Sequence, residues 1–428
     1  MTDGANGSSP QGKLAILVGG GPAPGINGVI SGATLEALRH GLEVIGIYDG
    51  FKWLAAGDGS HTCKLTAEVA EDCRLKGGSI LRTSREKPAD DPDKMANVVA
   101  TLRGLGVGYL VTIGGDDTAY SALKTAATSG GDIQVAHVPK TIDNDLPLPD
   151  QAPTFGYNTA RSVGADLIRN LMEDARTTKR WFVVSAMGRS AGHLALGMAR
   201  SGGASLAVIP EQFAAGKVDL NLVLSIIEGA MLKAKALGHD YGVAVVAEGV
   251  GEFLASELQG RPYVEITHDK SGNLRLAEVP LALILKKELQ ARAKAAGRKV
   301  TIVDITIGYE LRCAPPIPFD SEYVQQLGWG AVQYVLGRGA WEQGGALISL
   351  RAGVLEPIPF GQILDPKTGK TAIRRVDVGS HAYASARAQM MRLEPSDLEN
   401  AELVAKMAKD AGIEPQKFVE AYRGAAEA

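Results

Sequence analysis

From residue 14 onward, short apolar runs rich in β-branched residues alternate with longer stretches whose apolar residues recur every three or four positions. Such alternation predicts βα units built on parallel sheets. Strands are expected at 14–18, 43–48, 109–113 and 134–139, with a helix at 25–40. Each strand is mainly apolar at its centre and ends in Gly, Asp or Pro, as strands buried on both faces do. A second series follows Thr154, with helices at 157–176, 191–201 and 220–237 and strands at 181–186, 206–209 and 242–247. A helix at 281–296 and a strand at 300–307 extend it, and a helix at 322–337 is expected to return the chain to the first lobe. Beyond Ser380 the pattern turns helical, with Asp397 and Pro415 standing where helix-start residues belong. The expectation is an α/β protein of two Rossmann-like three-layer lobes with mostly parallel sheets and a helical C-terminal extension. Its boundaries are a disordered tail at 1–12, a first lobe at 13–155 to which 313–379 returns, a second lobe at 156–312, and C-terminal helices at 380–428.

Composition narrows the function classes. The 428 residues are 45% hydrophobic and include 52 glycines, which suits large cores with many tight turns. A net charge of −3, with both signs mixed along the chain, gives neither the basic footprint of a nucleic-acid binder nor a polybasic membrane face. A small-molecule partner is expected. The three cysteines, Cys63, Cys73 and Cys313, are too few and too scattered for a disulfide framework or a zinc cage, so reduced thiols in a cytoplasmic protein are expected. No apolar run reaches membrane-spanning length, and the polar first eleven residues lack a signal-peptide core.

In open α/β sheets, ligands bind beyond the carboxyl ends of strands, and the chemistry-bearing motifs stand at such ends. Residues 19–25, Gly-Gly-Gly-Pro-Ala-Pro-Gly, follow one strand and open a helix, so backbone N–H groups and the helix's positive end could hold an anion. A tight turn that binds nothing is the equal alternative, since the spacing matches neither a Walker A loop nor the dinucleotide fingerprint. Gly114-Gly115-Asp116-Asp117-Thr118 ends another strand. Adjacent carboxylates there read either as a helix cap or as a hard oxygen ligand for Mg²⁺, for which Asp116 is the choice. Lys140, in Pro139-Lys140-Thr141-Ile142-Asp143-Asn144-Asp145, suits phosphate contact better than a place on the sheet edge. Both loops are expected to build one site.

Attack of an alcohol on phosphorus calls for a positioned base, and a carboxylate in that role contributes about 10²–10⁴-fold. Asp143 and Asp145 both qualify, and either could instead close an Asx-turn; residue type alone does not choose. Met187-Gly188-Arg189 ends the strand at 181–186 and is expected to begin a helix, where a cation is unfavourable unless it serves an anion. Glu248 stands just past another strand and reads either as an acceptor for sugar hydroxyls or as a solvated loop acid. Arg312 would complete a cationic cluster with Arg180 if lobes or subunits converge.

Taken together, the runs at 20–27, 114–118, 139–145, 187–189 and 308–312 resemble the phosphofructokinase family, in family order and across about residues 14 to 320. The resemblance implies that Asp143 accepts the proton of the sugar 1-hydroxyl, that Thr141 and Asp145 orient that end, and that Arg189 stabilises the transition state. It implies fructose 6-phosphate binding by Thr141, Asp143, Met187, Gly188, Arg189, Glu248, Tyr309, Arg312 and Arg180, the last in its own or a neighbouring subunit's site. It further implies donor contacts at Gly20, Gly21 and Arg85, Mg²⁺ at Asp116, and a homodimer or homotetramer. The first lobe would then hold the donor and the second the sugar phosphate.

Two positions bear on the donor. ATP-using members commonly carry glycine where this chain has Asp117 and Lys140, a pairing that resembles the pyrophosphate-dependent branch. A carboxylate at 117 fills the path of a nucleotide's α-phosphate and repels it, while a compact ammonium at 140 suits compact pyrophosphate, which joins Lys140 to the catalytic set. The implied reaction is reversible transfer from pyrophosphate to fructose 6-phosphate, giving fructose 1,6-bisphosphate and phosphate. The alternatives are an ATP-dependent 6-phosphofructokinase, a sugar-phosphate-sensing relative without activity, and use of sedoheptulose 7-phosphate. Departures from the family pattern are Pro22 for a frequent aspartate, Arg82 for a frequent glycine, Val303 for a cross-subunit arginine and Tyr309 for a frequent histidine.

Overall fold

The computed structural model describes residues 12–213, 218–259, 267, 279–339, 345–362 and 372–428. The tail expected at 1–12 lies, Gly12 excepted, outside them. Two compact units emerge. The first comprises Met1–Ile142, Leu146–Ala160 and Leu311–Ile373, and the second comprises Asp143–Asp145, Arg161–Glu310 and Arg374–Ala428.

In the first unit a seven-stranded sheet runs in the order Ile358–Pro359, Ala346–Leu347, Gln134–Pro139, Val107–Gly114, Lys13–Val18, Val44–Ile47, Thr62–Lys64. The five inner strands are parallel and the two edge strands antiparallel. Strand side chains alternate between faces. Ala15, Leu17 and Leu110 pack with Met95 and Val98 of the helix Pro92–Gly104 and with Ala122 and Ala126 of the helix Asp116–Ser129. That leaves Leu14, Ile16 and Val18, all fully buried, for the opposite face. The helices Ile26–Arg39 and Pro318–Val335 pack on each other and on the sheet, so closely that a Cβ on Gly32 would stand 2.7 Å from the Gln325 carbonyl oxygen. Only glycine permits that approach.

In the second unit four parallel strands run in the order Leu206–Val208, Gly242–Ala247, Trp181–Ala186, Ile302–Ile307. Trp181, Val183, Ala244 and Val246 pack against Val223 and Ile227 of the helix Leu220–Ala236 and Leu285 and Leu289 of the helix Leu281–Ala295. The C-terminal helices, Ala401–Ala411 and Pro415–Glu427 among them, cover the far side of Leu220–Ala236 through Leu232, Val404, Met407, Phe418 and Tyr422. They are thus part of the second unit.

Several expectations need adjusting. The helix expected at 322–337 begins at Pro318, with proline at its N-terminal position. There Asp320, fully buried, accepts hydrogen bonds from Gly156 N–H at 3.1 Å, Thr159 N–H at 2.8 Å and the Thr159 hydroxyl at 2.6 Å. The expected start at Glu322 missed this because Pro318 and Asp320 read as loop until their partners are seen. The helix expected from Ala191 starts at His193. Asp397 does stand at a helix start, as the third residue of the helix Pro395–Glu399, its carboxylate accepting from Glu394 N–H at 2.8 Å. The chain crosses between units after Ile142, Asp145, Ala160, Glu310 and Ile373, where boundaries at 155, 312 and 379 were expected, because contacts and not chain position define the units.

Candidate active site

The carboxyl ends of the strands Lys13–Val18, Val107–Gly114 and Gln134–Pro139 bring the first set of expected residues together. Gly20 has φ 80°, which a side chain would strain. Its N–H is taken by the Ser84 carbonyl at 2.8 Å, and its carbonyl accepts the Thr83 hydroxyl. The Lys140 ammonium donates to the Gly21 carbonyl and stands 3.1 Å from where a Cβ on Gly20 would be. The Arg312 guanidinium stands 3.5 Å from the corresponding point on Gly21. Lys140 is only 5% exposed, so its field acts on a ligand with little screening by water. Arg312 thus belongs to the glycine loop's unit, whereas Arg180 belongs to the other.

The helix terminus after the glycine loop is packed in protein. The helix begins at Ile26, after a left-handed Gly25, and Ile26 and Asn27 are buried. The Asn27 amide donates to the Lys76 and Gly77 carbonyls and accepts from Ile80 N–H. Protein fills that end. Likewise Asp116 and Asp117 do not cap their helix, which has Gly115 at its N-cap and both acids in its first turn.

Asp117 pairs with Lys87 at 2.7 Å. Asp116 keeps surface in contact with solvent yet is crowded by protein, and this crowding, then the Asp117 charge, raises its pKa above the usual carboxylate range. A cation would relieve both effects. Among the described residues no group of three or more His, Cys, Asp or Glu is arranged to hold a metal. One carboxylate with water and phosphate oxygens is how Mg²⁺ is commonly held, so this donor set fits that ion at Asp116. Arg85 is exposed on the segment that follows Arg82. Arg82 adopts φ 56°, its guanidinium over the Tyr48 ring and 3.5 Å from Asp49.

Beneath the loop lies His137, fully buried and unmarked by the sequence reading. Its Nε2 is 3.1 Å from the Gly114 carbonyl and its Nδ1 2.8 Å from the Thr112 hydroxyl. A carbonyl only accepts, so Nε2 carries the proton and Nδ1 accepts. The same Gly114 carbonyl takes Lys140 N–H at 2.7 Å. Burial pushes the His137 pKa down to about 3. The folded pKa lies below the unfolded value, so this stability is complete above pH 6.5 and is lost as pH falls toward 3. At pH 4.5 the loss from His137 is roughly 3 kcal/mol. Denaturant melts across pH 7 to 4.5 are therefore expected to fall less steeply in His137→Gln, whose amide keeps the donor; an unchanged slope would remove His137 from the acid response.

The second set gathers at the carboxyl ends of the strands Trp181–Ala186, Gly242–Ala247 and Ile302–Ile307. Met187 N–H donates to Ile307 O at 3.0 Å, and Glu248 N–H to Ala186 O at 2.8 Å. Glu248 Oε1 accepts from Gly188 N–H at 3.2 Å, and Asp143 Oδ2 accepts from Arg189 N–H at 3.4 Å. Gly188 has φ 135°, a conformation that turns the chain at this point and is open only to glycine. Tyr309, 64% exposed, follows the third strand. Asp143, Met187, Gly188, Arg189, Glu248 and Tyr309 thus share one unit with Asp145. Thr141 stays with Lys140 in the other, its carbonyl accepting the Thr154 hydroxyl at 2.8 Å. Arg189 is not at a helix start: three residues separate it from the first helical residue, His193.

Arg180 does not join this cluster. It precedes the amino end of the six-residue strand whose other end carries Met187, roughly 20 Å away at 3.3 Å per residue, and pairs with Asp174 at 3.7 Å.

Chemically, the first set can hold a compact polyanion, and the second can deprotonate a hydroxyl beside an arginine. This chain belongs to the phosphofructokinase family, whose pattern matches residues 13–335. It is 52% identical to the pyrophosphate–fructose 6-phosphate 1-phosphotransferase of Thermotoga maritima, over 96% of this chain and 98% of that one. The Naegleria fowleri protein of the same name is 42% identical, over 96% and 95%. The solved pyrophosphate-dependent phosphofructokinase of Marinobacter aquaeolei shares the fold, with a TM-score of 0.65 at 17% identity over 88% of this chain and 91% of that one.

Proposed function

We propose that this protein is a Mg²⁺-dependent phosphotransferase that moves a phosphoryl group reversibly from pyrophosphate to the 1-hydroxyl of fructose 6-phosphate, yielding fructose 1,6-bisphosphate and phosphate. The observation that carries the donor assignment is the buried Lys140 ammonium at the Gly20–Gly21 turn, on the same unit as Asp117. The names of the two relatives support it.

In this reading Gly20 and Gly21 let the donor approach the backbone, with Arg85 beside them, and Lys140 stabilises charge gathering on the leaving phosphate. Mg²⁺ bound at Asp116 supplies charge neutralisation on the donor phosphates. Asp143 takes the proton of the attacking hydroxyl, Thr141 and Asp145 orient that end of the sugar, and Arg189 stabilises the transferring group. Met187, Gly188, Glu248, Tyr309 and Arg312 bind the sugar phosphate. Arg180, remote from Met187 within its own chain, serves a neighbouring subunit of a homodimer or homotetramer. The enzyme works in the cytoplasm. No helix among the described residues is long and apolar enough to cross a membrane.

The test is a coupled assay with fructose 6-phosphate and either pyrophosphate or ATP. Pyrophosphate is expected to win by at least about 100-fold in kcat/KM. Preference for ATP rejects the donor assignment, and inactivity with both rejects the reaction.

A further inference from the structure

The loop that carries Asp143 is held by a residue 230 positions later in the chain. Asn144 is buried and adopts φ 58°, a left-handed conformation that asparagine tolerates but that costs energy unless the surroundings impose it. Arg374 imposes it. Its Nε donates to the Asn144 carbonyl at 3.0 Å, and a terminal nitrogen of the same guanidinium donates to the Asn144 side-chain oxygen. Its own N–H donates to the Asp145 carbonyl at 2.6 Å. All three bonds fall on the two residues following Asp143, and Arg374 is only 8% exposed.

The same short segment is tied to the Arg189 loop. The Glu211 carboxylate oxygen Oε1 accepts from Val376 N–H at 3.0 Å and from Gly192 N–H at 2.8 Å, and His193 hydrogen-bonds the Arg374 backbone. Asp143 in turn accepts from Arg189 N–H. One strand of chain thus braces both loops that supply the acceptor-side groups. It lies outside residues 13–335, the stretch that matches the family pattern.

We propose that Arg374 is a positioning residue for the transfer reaction: its guanidinium fork fixes Asn144 in the left-handed turn and thereby aims the Asp143 carboxylate. The inference rests on the function proposed above. The planar fork matters, because two acceptors of one residue are satisfied by two donors in fixed geometry, which a lysine ammonium does not reproduce. Misaiming a base by about 1 Å costs roughly 100-fold in rate.

Arg374→Ala is expected to lower kcat by about 30–100-fold while KM for fructose 6-phosphate and pyrophosphate stays within about threefold. Arg374→Lys, which keeps the charge, should lose about tenfold. Adding Asn144→Ala to Arg374→Ala should cost no more than about twofold further, since both remove one interaction. Hydrogen exchange, which needs no turnover, should quicken at least about tenfold in a peptide spanning 141–146 of the Arg374→Ala protein, with the strand 242–247 unchanged. A kcat within twofold of the parent, a loss confined to KM, or unchanged loop exchange overturns the proposal. Should Arg374→Ala not fold, Arg374→Lys decides by the same criteria. Absence of turnover in the parent protein rejects the functional reading, and loop exchange then still decides the clamp.

Discussion

Asp143→Asn is expected to lower kcat by roughly 10³-fold or more, with KM for fructose 6-phosphate changed less than about threefold. The carboxamide has nearly the shape of the carboxylate and can keep the contact with Arg189 N–H, 3.4 Å from Oδ2, so binding and loop geometry survive. What disappears is a site for the proton. In its absence the hydroxyl must lose its proton to water as the bond to phosphorus forms, and the transition state rises accordingly. The acid limb of the kcat–pH profile should vanish with it, because that limb reports protonation of the base. Steady-state kinetics across pH checks both. A variant that keeps its rate, or keeps the acid limb, would pass the base role to Asp145.

The second large effect concerns the donor. Replacing Lys140 and Asp117 together by glycine is expected to cut kcat/KM for pyrophosphate by roughly 10³-fold, while ATP turnover rises from background. Loss of the Lys140 ammonium removes a poorly screened positive charge from the Gly20–Gly21 turn. Loss of the Asp117 carboxylate opens space and releases Lys87 from its 2.7 Å ion pair, leaving a cation available to an α-phosphate. The single changes separate the two contributions: Lys140→Gly should damage pyrophosphate use most, and Asp117→Gly should admit ATP most. Competition assays with both donors measure this. If Asp117→Gly binds ATP no better than the parent does, steric and electrostatic exclusion at position 117 is refuted.

The elements most legible in the chain were those whose environment is local. Lys13–Val18 and Gln134–Pro139 read as strands because burial on both faces demands short, mainly apolar runs, and Gly19 and Pro139 mark their ends. The motif residues after them were legible for the same reason: Gly114-Gly115-Asp116 and Met187-Gly188-Arg189 stand where strands stop. The helix at Pro92–Gly104, by contrast, went unread between strands, and the start at Pro318 was missed because its anchor, Asp320, acts on Gly156 and Thr159. His137 looked like one more member of a strand, though its ring supports the Gly114 carbonyl.

By itself the amino-acid order determined the α/β class, the strand ends at which chemistry collects, and the residue types available there, since periodicity and turn composition record each residue's immediate surroundings. Only the tertiary structure decided that the helix after the glycine loop has a buried, protein-filled terminus, that Lys140 reaches Gly21, that Arg180 lies at the far end of its strand from Met187, and that Arg374 grips Asn144. Those relations join residues far apart in the chain. They are set by how packed layers bring loops together, and no run of neighbouring residues carries that information.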